Sequence, residues 1–292
     1  MTILAAFSAS RHSSAPLNLA VQIARTTGEP VIAAAVVERA WRDDPVETEY
    51  LGYVRTQAAQ ALQRAVTELP TDVTLSQVVH ESASIPTGLM ELADANRVSV
   101  VSVGSSSSGM LGRITLGSVT ERLVHTARVP VAFAPRGYAE AGGRIRRLTA
   151  AYGGEADVNG LIPATATWAE DWSAGLRIVS FTVRNTAAFY GSIESSAEEL
   201  VVAQWSRRTR AEITRQLNAI RDRMPIDDAE VVVGAGHDWA AAVQSVPWQP
   251  GDLLVLGSGA AAPSRQVFLG SAAGKILRHS PVPVMIAPRY PG

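Results

Sequence analysis

Residues Val103 to Arg136 read V-G-S-S-S-S-G-M-L-G-R-I-T-L-G-S-V-T-E-R-L-V-H-T-A-R-V-P-V-A-F-A-P-R, and residues Leu256 to Arg289 read L-G-S-G-A-A-A-P-S-R-Q-V-F-L-G-S-A-A-G-K-I-L-R-H-S-P-V-P-V-M-I-A-P-R. The second stretch repeats the first at a shift of 153 residues. Gly104 and Gly117 are thirteen residues apart, and so are Gly257 and Gly270. Each copy reads as a strand, a glycine-marked loop, a Gly-Ser pair, a helix and a V-P-V strand. A loop that feeds a helix N-terminus is a place where proteins hold phosphate.

Outward from the first copy, apolar runs alternate with amphipathic stretches. Ile3–Phe7, Val31–Val37, Thr74–His80, Val98–Val103 and Val129–Ala134 read as strands. Between them, Ala15–Thr26, a long helix with Tyr50, Val54, Ala58, Leu62 and Leu69 inward, Ile85–Asn96 and Val119–Ala127 read as helices. Gly137–Gly143 reads as a linker. The order then restarts. Leu148–Tyr152, Leu176–Val183, Val231–Gly234, Leu253–Leu256 and the V-P-V-M-I segment read as strands. A helix with Leu161, Thr165, Trp168 and Trp172 on one face, Ser196–Arg223 and Asp238–Val246 read as helices. The expected fold class is α/β: two repeated domains, residues 1–138 and 145–292 joined by 139–144, each an open five-stranded parallel sheet with helices on both faces. The last strands would be exposed edges if left alone, so they are expected to pair within the chain.

Composition bounds the function. The chain has 292 residues, which suits two domains of about 150. Its formal net charge of −1 gives no pull toward nucleic acid or acidic lipid. There is no cysteine, so thiol chemistry is excluded. The N-terminus reads as a first strand, not a signal peptide, and no apolar stretch reaches the ~18 residues of a membrane span. A cytoplasmic location is expected, with no nucleic-acid or membrane partner. The arginines of Ser196–Arg223 are interleaved with acids and read as a solvated face.

The motif has a physical logic. Gly104 and Gly257 let main chain approach a ligand closely. The loop after each offers amides as an anion nest. Gly117-Ser118 and Gly270-Ser271 then open helices whose free N–H groups favour negative charge. Ser118-Val-Thr-Glu121 also reads as a capping box, which explains Ser118 with no ligand. Ser271-Ala-Ala-Gly274 lacks that box and keeps the Gly-Ser pair.

The pattern G-x2-G-x9-G-[S/T] after a fourth strand, then a helix and V-P-V, resembles the universal stress protein family, and the likeness covers nearly the whole chain as a tandem pair. The resemblance implies an adenine nucleotide such as ATP at the strand ends, with Mg²⁺ as a companion. It implies a nucleotide-binding stress-response regulator without a catalytic residue, working as a homodimer. On this pattern the nucleotide contacts are Ser8, Val103, Gly104, Ser106, Ser107, Gly117, Ser118, Val119 and Thr120 in the first half. In the second they are Gly257, Gly259, Ala260, Gly270, Ser271 and Ala272. The departures are specific. The signature's second glycine is Ser107 in one half and Ala260 in the other. Pro263 removes a donor from the second loop. The family's aspartate after strand one is replaced by Ser8 and Gly153, neither of which offers adenine a carboxylate.

The five histidines show no metal-ligand spacing. There is no G-x-S-x-G elbow or G-x-x-x-x-G-K-[ST] loop. Asp238 reads as a helix N-cap. Two further readings stand beside the regulator: an interaction scaffold of the same fold whose sites are degenerate, and a slow ATPase.

Overall fold

The computed structural model describes residues 1–10, 13–39, 45–139, 143–153, 160–183, 229–258 and 270–288, with Gln204, Arg207, Arg208, Arg210, Ala211, Thr214, Arg215 and Asn218 between. The first half runs β1 (Thr2–Phe7), α1 (Ala15–Thr27), β2 (Val31–Glu38), α2 (Pro45–Thr67), β3 (Leu75–Ser82), α3 (Ile85–Ala95), β4 (Val98–Gly104), α4 (Ser118–Thr126) and β5 (Val131–Ala134). The second runs β6 (Arg147–Tyr152), α5 (Leu161–Asp171), β7 (Gly175–Val183), β8 (Glu230–Gly236), α6 (Trp239–Gln244), β9 (Asp252–Gly257), α7 (Ser271–His279) and β10 (Val284–Ala287). The helix expected over Ser196–Arg223 falls mostly outside the described residues. Tyr50 is exposed, not inward, while Ala58, Leu62 and Leu69 are buried as their spacing requires.

All ten strands form one sheet in the order β3-β2-β1-β4-β5-β10-β9-β6-β7-β8. Pairing is parallel inside each half. The seam between halves is antiparallel, with Val284 opposite Phe133, Met285 opposite Ala132 and Ile286 opposite Val131. The terminal strands therefore cover each other's edges, as expected. The seam also fuses the cores. On one face Leu4, Val101 and Phe133 share a cluster with Leu254, Val284 and Ile286. On the other, Ile3 and Leu17 share one with Leu253 and Met285. Burial at this scale is the main stabilising term of the fold.

The connection between halves is strapped to α1. Asn18 Nδ2 donates to Tyr138 O at 2.9 Å, and Tyr138 Oη donates to Gln22 Oε1 at 2.5 Å. Gln22 Nε2 reaches Arg144 O at 3.5 Å, and Ile145 N donates to Thr26 Oγ1 at 2.8 Å. Positions 18, 22 and 26 share a helix face by their four-residue spacing. Buried polar groups need such partners, which explains Gln22 at 1% exposure.

A candidate phosphate-loop site at the strand ends

The two motif glycines that end β4 and β9 have the same packing role. A Cβ at Gly104 would lie 3.3 Å from Pro16 Cδ, and one at Gly257 would lie 3.3 Å from Leu161 Cδ2. Each glycine makes room for the first turn of the helix that follows the half's first strand. Its place in the motif thus has a structural explanation independent of any ligand.

In the first half the loop after Gly104 is closed on itself. Ser105 N donates to Ala134 O at 3.1 Å and Ser106 N to Thr115 O at 2.7 Å. Thr115 N donates to Ser105 Oγ at 2.8 Å, and Gly109 N to Ser106 O at 3.2 Å. Gly112 N donates to Arg136 O at 2.9 Å. Ile114 is fully buried beneath the loop. The free amides therefore fall in short, interrupted runs: those of Ser107 and Ser108, and of Met110 and Leu111, have no partner among the described residues. Ser107 is exposed and has no positive φ, so the missing glycine there causes no strain. The glycine the loop does require is Gly109, where a Cβ would meet Thr115 Oγ1 at 2.5 Å. That requirement is a tertiary contact, and neither spacing nor composition signals it.

The capping box expected at Ser118 lies one residue earlier. Gly117 is the N-cap, its amide donates to Thr120 Oγ1 at 2.8 Å, and Thr120 Oγ1 donates back to Gly117 O at 2.9 Å. Thr120 is thus buried and engaged in capping. Val103 likewise contributes a core side chain, at 2% exposure. Ser118 is exposed at the first helical position and makes no hydrogen bond through its side chain among the described residues. Val119 is half-buried beside it. Ser106 Oγ contacts Ser108 Oγ at 3.0 Å, and Ser8 Oγ contacts Ser10 Oγ at 3.2 Å.

In the second half a hollow of about 330 Å³ lies at the ends of β6, β7 and β9. It gathers Gly257, Gly270, Ser271 and Ala272 from the expected set, with Gly153 beside them. Gly259, Ala260 and Pro263 lie outside the described residues. Tyr152, Phe181 and Trp239 supply aromatic walls that the motif did not point to. Trp239 follows Asp238, which caps α6 by accepting from Ala241 N at 2.7 Å, so the cap expected from sequence is present. That bond holds the Asp238 carboxyl below the usual carboxylate range. The Lys275 ammonium lies 5.8 Å from the Trp239 ring centre. Gly270 caps α7 with φ −67° and ψ 163°, and Gly117 caps α4 with φ −101° and ψ 174°. Both are extended conformations open to any residue, so backbone geometry does not demand glycine at either place.

Among the described residues no three His, Asp or Glu side chains gather closely enough to hold a metal ion. No described helix is long and apolar enough to cross a membrane.

The sequence profile of the universal stress protein family matches residues 1–135 and 166–288, one segment in each half. A universal stress protein of Mycobacterium tuberculosis is 29% identical over 295 residues, covering 99% of this chain and all of that protein. A crystal structure of a universal stress protein from Archaeoglobus fulgidus superposes with a TM-score of 0.57 at 16% identity, covering 99% of this chain and 98% of that one. A protein of Pseudomonas aeruginosa described as functionally unknown has a TM-score of 0.55 at 16% identity, covering 99% and 92%. The two structural likenesses speak to fold, and the profile match across both halves establishes kinship: the chain belongs to the universal stress protein family.

Proposed function

We propose that this chain is a nucleotide-binding stress-response regulator in which the second half holds the ligand and the first half is chiefly its structural partner. The observation that carries the reading is the hollow at the ends of β6, β7 and β9. At about 330 Å³ it sits near the lower end of small-ligand pockets, ~300–1,000 Å³, and suits one mononucleotide. The Ser271 hydroxyl and the first-turn amides of α7 would take phosphate oxygens. Glycine at 270, unneeded for backbone conformation, keeps a Cβ away from those amides. Tyr152, Phe181 and Trp239 offer faces for a base to stack on.

The donor set fits a nucleotide in part. Phosphate and ring have partners, while Gly153 leaves adenine's exocyclic amine without a carboxylate. The site therefore favours a purine nucleotide generally over ATP alone. Mg²⁺, if it accompanies the ligand, is held by phosphate and water. In the first half the loop's commitment to its own hydrogen bonds favours the scaffold reading for that half. Ligand in the second half would act by fixing α7 and the loop before it, a state that partners read.

Thermal melting of the full chain with millimolar ATP, AMP or GTP tests this. A rise in melting temperature that grows with the logarithm of ligand concentration is expected, since ligand selective for the folded state stabilises by mass action. No shift with any of the three, together with no nucleotide in a mass spectrum of the native protein, overturns the proposal.

A further inference from the structure

We infer that a second cleft, at the other end of the second half's strands from that half's phosphate loop, binds a small polyanion. It measures about 620 Å³ and lies at the starts of β6, β7 and β9. Arg144, Arg146 and Arg147 line it, with Gln22, Gln249 and Gly251.

The three arginines are not equivalent. Arg147 is occupied: its guanidinium donates to Asp252 at 2.8 and 2.9 Å and to Glu230 at 3.1 Å. Asp252 in turn accepts from Arg177 at 3.1 Å, so the one acid among the described residues that line the cleft is shared by two cations. Arg144 and Arg146 are exposed, and their guanidiniums have no hydrogen-bond or ion-pair partner among the described residues. The cleft thus carries two uncompensated positive charges.

Their backbone is held from both halves. Arg146 N donates to Gly251 O at 2.8 Å, and Gly175 N donates to Arg146 O at 2.8 Å. Gly251 has φ +88°, and a Cβ there would lie 2.9 Å from both Arg144 O and Arg146 Cγ. From the first half, Gln22 Nε2 approaches Arg144 O at 3.5 Å. Two free guanidiniums project from a pinned backbone, so the ligand has only their side chains left to order.

The chemistry selects the ligand. Each guanidinium can hold one anionic group in bidentate fashion, so the occupant carries at least two neighbouring anionic groups. The cleft is larger than one phosphate needs. Specific nucleic-acid binding usually engages more phosphates than two arginines can neutralise, and among the described residues no aromatic ring lines the cleft to stack a base. A short polyphosphate or a polycarboxylate meets these demands.

Calorimetric titration of the full chain at low ionic strength, with tripolyphosphate in one arm and citrate in the other, tests the assignment and tells phosphate from carboxylate. Saturable one-site binding is expected with at least one anion. Arg144→Ala and Arg146→Ala should each weaken it about tenfold, the scale of one charge-assisted contact. Both residues are exposed, so the variants should melt like the parent. A control pair, Arg122→Ala and Arg128→Ala, each made singly on the exposed surface so that the charge loss is equal, should bind as the parent does. So should Ser271→Glu, which separates this site from the nucleotide hollow. Absence of saturation with both anions, or equal weakening by the control pair, overturns it.

Discussion

The two halves share one fold and solve the same buried positions differently. Counted through the strand register, Leu4, Ile32 and Ser99 in the first half correspond to Thr149, Arg177 and Asp252 in the second. In the first half Ser99 Oγ bonds Thr2 O at 3.3 Å and Glu29 Oε2, and the neighbours are apolar. In the second, a fully buried Arg177 donates to Thr149 Oγ1, Pro247 O and Asp252 Oδ2, each at 3.1 Å, and lies 4.8 Å from the Trp248 ring centre. Burial pulls the Arg177 pKa below that of a free guanidinium, with Asp252 opposing. A buried ion network is no more stabilising than well-packed apolar residues, yet it is expensive to break, because one charge is left without its partner.

That difference predicts the largest effect. Asp252→Ala should destabilise the chain by about 3–5 kcal/mol in urea denaturation, while Ser99→Ala at the matching place should cost about 1 kcal/mol. Equal losses would break the comparison. Replacing Thr149, Arg177 and Asp252 together with Leu, Ile and Ser should recover much of the loss, since it restores the first half's solution.

A smaller effect concerns the ligand and divides the halves more sharply. Ser271→Glu and Ser118→Glu place a carboxylate at the first position of α7 and α4. The helix dipole tolerates or favours an acid there, so neither should unfold the protein. A phosphate, however, is repelled. Nucleotide affinity should fall at least tenfold in Ser271→Glu and stay unchanged in Ser118→Glu, read by equilibrium dialysis. The reverse result would move the site to the first half.

Much of this was legible in sequence, for identifiable reasons. The alternation of apolar runs and amphipathic stretches fixed the order of elements, and the V-P-V strands announced their pairing because an apolar edge needs a partner. Gly104 and Gly257 were legible as positions but not as roles. Their duty to Pro16 and Leu161 depends on tertiary approach, which spacing does not encode. Ser118 was read as the cap because its hydroxyl fits that task, but the chain enters the helix one residue earlier and uses Thr120. Trp239 and Phe181 come from β7 and the start of α6, far from the motif, and only the fold brings them to Ser271. Nothing in the sequence around Asn18 and Gln22 signals that the linker bonds them, because that contact exists only once the fold brings Tyr138 and Arg144 to α1.

The seam offers a third test. Arg113, in the first half's loop, donates to His279 O at the end of α7 at 2.8 Å. It satisfies a carbonyl that the helix leaves open, and its charge complements the dipole. Arg113→Ala should cost about 1 kcal/mol in the same denaturation assay. If α7 transmits ligand binding to the first half, the variant should also lose ligand-dependent protection of residues 105–117 in hydrogen exchange while keeping nucleotide affinity. Protection that persists would mean the halves are joined mechanically but not coupled.

The smallest effect contrasts two caps. Ser84 caps α3 by accepting from Thr87 N at 3.3 Å, and Asp238 caps α6 by accepting from Ala241 N at 2.7 Å. Only the second can titrate. The Ala241 amide lowers the Asp238 pKa, and electrostatic attraction to His237, 3.4 Å away, and to His279 acts in the same direction. A carboxyl depressed in the folded state stabilises above its unfolded pKa, and that contribution is lost as pH falls through the folded value. The melting temperature of Asp238→Ser should therefore fall below that of the parent at neutral pH. The gap should close as pH drops below about 4, where free carboxyls protonate. Asp72 and Glu91, whose carboxyls are also held low by Arg25 and His80, titrate in both proteins and cancel in the difference. Ser84→Ala should show a loss with no such closure, because a hydroxyl cap carries no proton to gain. A gap at Asp238 that is constant with pH would mean the cap works through shape and not charge.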